Sequence, residues 1–227
     1  MGQREGRTTV VKPDSQAGET AGAFSPWLRR IRRSQKLKTV GADVPCGSCT
    51  ACCRSSYFIH IKADEKRTLA RIPRKLLFPA PGPKGNMLMG YNERGECPMF
   101  VENRCAIYED RPQTCRDYDC RIYAATGVAV DRALIDEQVR RWRFEHRNEL
   151  DRREHAAVRA AAEFLQERGD AIGEGVPSNP ARLALLAIEV YDLFLKLDES
   201  SASGGRRPSD TEIAKAVIEA MSQIDGR

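Results

Sequence analysis

The chain has 227 residues, 30% of them charged, with a net charge of +5 and a mean hydropathy of -0.52. These values fit a water-soluble polypeptide long enough to bury a core, and no apolar run approaches the ~18 residues needed to span a bilayer. Met1 to Pro26 lacks an apolar h-region, so the expected location is cytoplasmic, with no export and no transmembrane segment.

Residues 1–25 show low hydrophobicity, scattered charge and no periodicity, and read as a disordered tail. A short helix is expected from Pro26 to Lys38. Within it Trp27 to Lys38 carries six Lys or Arg and no acid. A solvated arginine face, with Trp27, Leu28 and Ile31 turned inward, accounts for this pattern. Aromatic residues are not interleaved with the basic ones there, so nucleic acid is not the expected partner, and any protein partner is of unknown identity.

Gly41–Pro45 reads as a turn delivering a first group of cysteines. Tyr57–Ile61 suits a short strand, and Asp64-Glu65 a short helix that Pro73 ends. Phe78-Pro79-Ala80-Pro81-Gly82-Pro83-Lys84-Gly85 is expected to be a loop, Asn86–Tyr91 a strand and Asn92–Gly95 a turn. Pro112 suits the first turn of a helix carrying Cys115 and Cys120. From Asp131 to about Arg168 the chain is helix-forming almost throughout, with a break near Asn148–Asp151. Pro180 opens a more apolar helix to about Leu197, Ser201–Gly205 resembles a linker, and Ser209-x-x-Glu212 is a capping box for a last amphipathic helix.

All eight cysteines fall between Cys46 and Cys120. They read C-x2-C-x2-C-C (Cys46, Cys49, Cys52, Cys53), then, after 43 residues, Cys97, Cys105, Cys115 and Cys120. Thiolates crowded in this way repel one another and oxidise unless a cation holds them, and in a chain of this size without an export signal clustered cysteines are more often ligands than disulfide bridges. The eight are therefore candidate ligands of an iron–sulphur cluster, or of zinc or iron ions. Cys46, Cys49 and Cys52 have the three-apart spacing of a ferredoxin-like grip, and Cys97-Pro98 is a plausible distant fourth position. The irregular spacing after Cys53 lacks paired C-x2-C knuckles and tips the preference towards iron–sulphur.

Four thiolates around such a centre leave a net negative charge that Arg54, Arg104, Arg111, Arg116 or Arg121 could offset. Asp117 and Asp119 are expected in solvent rather than on a metal. His60, His146 and His155 are expected to be ordinary packed or surface residues, the last two too poorly spaced to share a helix face. Tyr108 and Pro112 are expected to order the second cysteine group structurally. No arrangement for acid–base or nucleophilic catalysis is visible, and no Gly-rich nucleotide loop.

Three segments resemble one known family: Cys46-Gly47-Ser48-Cys49-Thr50-Ala51-Cys52-Cys53, Gly95-Glu96-Cys97-Pro98-Met99-Phe100, and Cys105-Ala106-Ile107-Tyr108-Glu109-Asp110-Arg111-Pro112-Gln113-Thr114-Cys115-Arg116. They are similar to the CxxCxxCC, or YkgJ-type, cysteine-cluster proteins over about Cys46 to Cys120. The resemblance implies zinc or iron chelation, often as an iron–sulphur centre, by these cysteines. A similar cysteine segment in the flagellin lysine N-methylase brings in methyl transfer as an alternative.

The expected fold is mainly α with minor β. A cysteine-ligated metal module (26–126) comes after the tail, and a helical C-terminal region (127–227) has a linker near 198–208. The first functional expectation is a metalloprotein with redox or electron-transfer support. The alternatives are a metal-dependent protein- or peptide-modifying enzyme and a structural zinc module that recruits a partner.

Overall fold

The computed structural model describes residues 18–37, 44, 48–172, 176–202 and 209–225. Cys46, the tail through residue 17, most of the expected Gly41–Pro45 turn, Lys38 and residues 203–208 of the expected linker lie outside the described residues. The fold is mainly α with minor β, as the periodicities imply.

Part of the expected tail is ordered: β1 (Glu19–Ala23) runs directly into α1 (Phe24–Leu37). Low hydropathy hides this strand because its stabilisation is non-local. It pairs in parallel with β7 (Trp142–Glu145), more than a hundred residues away in sequence, and a bulge between Thr20 and Gly22 is absorbed by Gly22 at φ 88°. Phe24, Trp27, Leu28 and Ile31 then anchor α1, and the expected inward face of this helix is correct.

The middle of the chain is built from short pieces. A 3-10 turn over Ala51–Arg54 is followed by β2 (Ile59–Ile61), α2 (Lys66–Arg71), β3 (Leu77–Pro79), β4 (Met87–Met89), β5 (Phe100–Val101) and β6 (Arg104–Cys105). Strands β2, β4 and β3 form an antiparallel sheet in that order, so Phe78 and Pro79 are strand residues and the expected loop begins only at Ala80. The expected helix carrying both Cys115 and Cys120 is two helices, α3 (Gln113–Asp117) and α4 (Arg121–Thr126), separated by an extended Tyr118.

Beyond α4 lie α5 (Ala133–Arg141), β7, α6 (Glu149–Glu167), α7 (Gly169–Ile172), α8 (Pro180–Ala202) and α9 (Asp210–Asp225). The long helical stretch expected from Asp131 is thus interrupted by β7, where Trp142 is buried and Phe144 rests on Phe24 and Trp27 with ring centroids 5.0 and 4.7 Å apart. The Asn148 side chain caps α6 by accepting the Asp151 N–H at 2.9 Å. α8 continues to Ala202, through the start of the expected linker. The capping box before α9 forms as expected, Ser209 N–H donating to Glu212 at 2.8 Å and Glu212 N–H returning to Ser209 Oγ at 3.4 Å.

Two cores result. The larger joins α1, α4, α6, α8 and α9 around Phe24, Leu28, Val158, Leu165, Ile188 and Val217. The smaller has Ile61, Ile72, Met89 and Ile107 at its centre, with Cys97, Met99 and Cys105 packed against it. α1 packs against α6 and α8. No helix among the described residues is long and apolar enough to cross a membrane.

Candidate metal centre

The segments that carry Cys52, Cys53, Cys97 and Cys105 pack on both of these cores. Ala51, in the 3-10 turn that carries Cys52 and Cys53, packs on the larger core, while Cys97 and Cys105 pack on the smaller one. Backbone bonds hold the segments in register. Cys97 N–H donates to Cys53 O at 2.7 Å, Ser56 N–H to Gly95 O at 2.9 Å, and Phe100 pairs with Cys105 across the β5–β6 hairpin. α3 brings Cys115 in against β2, where Thr114 Oγ1 donates to His60 O at 2.7 Å.

Three sulphurs share one local geometry. Cys49, Cys97 and Cys105 each accept a backbone N–H from two residues onward, at Ala51, Met99 and Ile107, and Cys97 also accepts from Phe100. N–H groups aimed at sulphur favour the thiolate. Burial acts in the opposite sense and dominates, holding the Cys49, Cys97 and Cys105 thiols above their ordinary value. Cys115 is pushed up to about 12, first by burial and then by Cys52, Cys97 and Cys105. The Cys52 thiol is also raised, first by its hydrogen bond with Cys53, then by burial and the charge of Cys53. These mutual effects bring Cys52, Cys97, Cys105 and Cys115 into one electrostatic neighbourhood, with Cys49 beside Cys52.

The convergence stops short of a closed coordination sphere. Among the described residues no three His, Cys, Asp or Glu side chains are gathered so as to hold a metal ion. The described cysteines are free thiols. The donor set still fits a thiophilic metal, because thiols from several separate segments act on one another electrostatically and backbone N–H groups lower those of Cys49, Cys52, Cys97 and Cys105.

Cys120 is placed differently. It is buried in the larger core, and its sulphur accepts the indole N–H of Trp142 at 3.2 Å. Asp119 is not solvated as expected but 3% exposed. Its carboxylate accepts Trp27 Nε1–H at 2.9 Å and the Arg121 guanidinium at 2.8 and 2.9 Å, while Arg121 also donates to Ala21 O at 3.2 Å. Of the candidate counter-cations, Arg121 is thus committed to the core, Arg54 reaches Glu96 at 3.6 Å and Arg104 reaches Glu102 at 3.5 Å. Arg111 lies over the Tyr108 ring at 4.0 Å and lowers the Cys105 and Cys115 thiols. Arg116 buries its Nε without a hydrogen-bond partner among the described residues.

Glu65 ties this site together and has no sequence signature. Its carboxylate accepts Lys62 N–H at 2.8 Å and Gln113 N–H at 2.6 Å, pinning the start of α3 to the end of β2. Asp117 accepts Gln113 Nε2–H at 2.6 Å. A groove of about 560 Å³, lined by Arg71, Val101, Arg104, Cys105, Tyr108 and Asp110 among others, opens beside Cys105. His146 and His155 do meet, at 2.8 Å, because β7 carries His146 off the helix that holds His155.

Residues 45–149 match the model of the CxxCxxCC family, described as "Putative zinc- or iron-chelating domain". The match runs beyond Cys120 to include α5 and β7, further than the motifs alone reach. No curated protein and no solved structure matches the chain.

Proposed function

We propose that the 45–149 segment, similar to a zinc- or iron-chelating family, binds metal through Cys52, Cys97, Cys105 and Cys115, with Cys49 and Cys53 beside them. The observation carrying this reading is the repeated N–H···S geometry at Cys49, Cys97 and Cys105, which favours thiolates where burial alone opposes them. A cation supplies the missing stabilisation. Cys46 remains a candidate ligand on its spacing, and Cys120 is the weakest of the eight, since it already accepts an indole N–H.

An iron–sulphur cluster is preferred over zinc, because spacings of seven, nine and four residues after Cys97 do not form zinc knuckles. A bound cluster would supply one-electron chemistry in support of a redox partner. The protein's own residues position the thiols, exclude part of the solvent and place Arg111 to offset negative charge.

The groove beside Cys105 favours a second reading, in which a ligand reaches the centre and the protein modifies a peptide or protein. The small size of the satellite core favours a structural contribution from the metal in either case.

The test is anaerobic purification followed by iron, zinc and acid-labile sulphide per chain, repeated for Cys115→Ser. Iron with matching sulphide and absorption near ~400 nm, reduced in the variant, supports the cluster. Stoichiometric zinc without sulphide moves the reading to a structural module. Unchanged metal content in Cys115→Ser refutes this ligand set.

A further inference from the structure

Chain alternation sorts the β2–β4–β3 sheet into two faces. Ile61 and Met89 belong to the smaller core, Ile59 and Leu77 pack against it, and Met87 shares their face by register. Phe58, His60, Leu88, Gly90 and Phe78 occupy the opposite face. That face is aromatic and open: Phe58 is 57% exposed and Phe78 41%, and Tyr91, 43% exposed, lies beyond the end of β4 against Phe58. The three rings form one group, with Phe58 5.2 Å from Tyr91 and 6.1 Å from Phe78 between centroids. Gly90 lies beneath them, and a Cβ there would sit 3.5 Å from the Phe58 ring and 3.7 Å from that of Phe78.

The nearby charge is positive in balance. Residues 54–96 hold nine Lys and Arg against four Asp and Glu. Arg54 and Arg94 are ion-paired with Glu96, and Arg67 and Arg71 with Asp110, which leaves Lys62, Lys66, Arg74, Lys75 and Lys84. Register places the cations at both ends of the exposed face. Exposed Arg74 and Lys75 enter β3 at the Phe58 and Tyr91 end, while exposed Lys62 and Lys84 lie at the other. We propose that this face binds single-stranded nucleic acid, with Phe58, Phe78 and Tyr91 stacking on bases and the flanking Lys and Arg taking phosphates.

Two physical requirements support that occupant. Sequence-tolerant binding of single strands needs open aromatic faces together with a basic track for the backbone, and both occur here within a few residues. Lysine is depleted at the centres of protein–protein interfaces, so the exposed Lys62, Lys75 and Lys84 around the rings favour a polyanion over an apolar protein surface. The arginine face of α1 lacks exposed rings, which is why the basic stretch at 27–38 alone does not suggest this partner. Nucleic-acid binding at this face is independent of metal binding by the cysteines.

Fluorescence anisotropy of the full chain with a labelled oligouridylate of about 12 nucleotides tests it. Saturable binding is expected, weakening as salt rises. Phe58→Ala and Tyr91→Ala are each expected to lower affinity roughly tenfold. Lys75→Glu with Lys84→Glu is expected to flatten the plot of log affinity against log salt by about 0.7 per lost phosphate contact. These side chains are exposed, so the variants are expected to keep the parent's helical circular dichroism. Absence of binding at low salt, or unchanged affinity in both aromatic variants, overturns the proposal. So does concentration-dependent self-association, seen by sedimentation without oligonucleotide and abolished by Phe58→Ala, because the face would then join two copies of this chain.

Discussion

Cys115 and Cys120 stand five positions apart and have opposite surroundings. Cys115 lies among three other thiols that push its own thiol up to about 12 after burial has acted. Cys120 lies among apolar side chains with an indole N–H on its sulphur. Replacing Cys120 with Ala removes the acceptor of the buried Trp142 N–H and is expected to cost about 1–3 kcal/mol of stability while leaving metal content unchanged. Denaturant unfolding beside metal analysis checks both halves, and loss of metal from Cys120→Ala would return this residue to the ligand set. Sequence spacing could not separate the two cysteines. The distinction comes from the extended Tyr118 between α3 and α4, which turns the chain away from the thiol group and into the larger core.

At the scale of elements, the docking of β1 and α1 onto β7 and α6 carries a pH dependence. Phe24 stacks on His155 at 4.2 Å, and His155 meets His146 at 2.8 Å, while Arg159 Nε–H points at His155 Nε2 from 3.4 Å. Burial first, then the charges of Arg159 and His146, lower the His155 pKa to about 4. A base held neutral in the fold but free to protonate near 6.5 when unfolded contributes stability that is complete above 6.5. That contribution is lost as pH falls towards 4. Between those limits the loss is expected to be on the order of 1–3 kcal/mol, and His155→Gln should flatten it. Equal slopes in urea titrations of the two proteins across this window would show that other groups are responsible.

The same junction marks the limit of what the sequence made legible. α8 and α9 follow from local patterning and a capping box, whereas β1 and β7 each depend on a partner strand far along the chain. Trp142 and Phe144 alternate as a strand should, but the dense Arg and Glu around them read as helix. For the candidate centre, the residue types and their motif were legible; the joining of Cys52 with Cys115, and the Glu65 tie that seats α3, depend on tertiary contacts.

For the whole molecule, two cores of unequal size imply unequal dependence on metal. The larger rests on interlocking helices, α6 against α8 most extensively, and contains Cys120 but none of the convergent thiols. The smaller has four buried side chains at its centre to hold strands of two or three residues, several turns and the long connections between them. Ordering so irregular a segment costs conformational entropy that such a core offsets poorly, whereas the proposed thiolate ligation from several segments would stabilise it directly. Metal removal is therefore expected to loosen β2 to β6 while α6, α8 and α9 persist. Hydrogen exchange before and after chelation tests this. Amides of Ile61 and Met89 should lose protection, and those of Val158 and Ala187 should keep theirs. Simultaneous loss in both sets would mean that the cysteine segments couple the cores into one cooperative unit. Unchanged protection of Ile61 and Met89 would mean that the smaller core stands without metal, and that the thiols converge for chemistry rather than for structure.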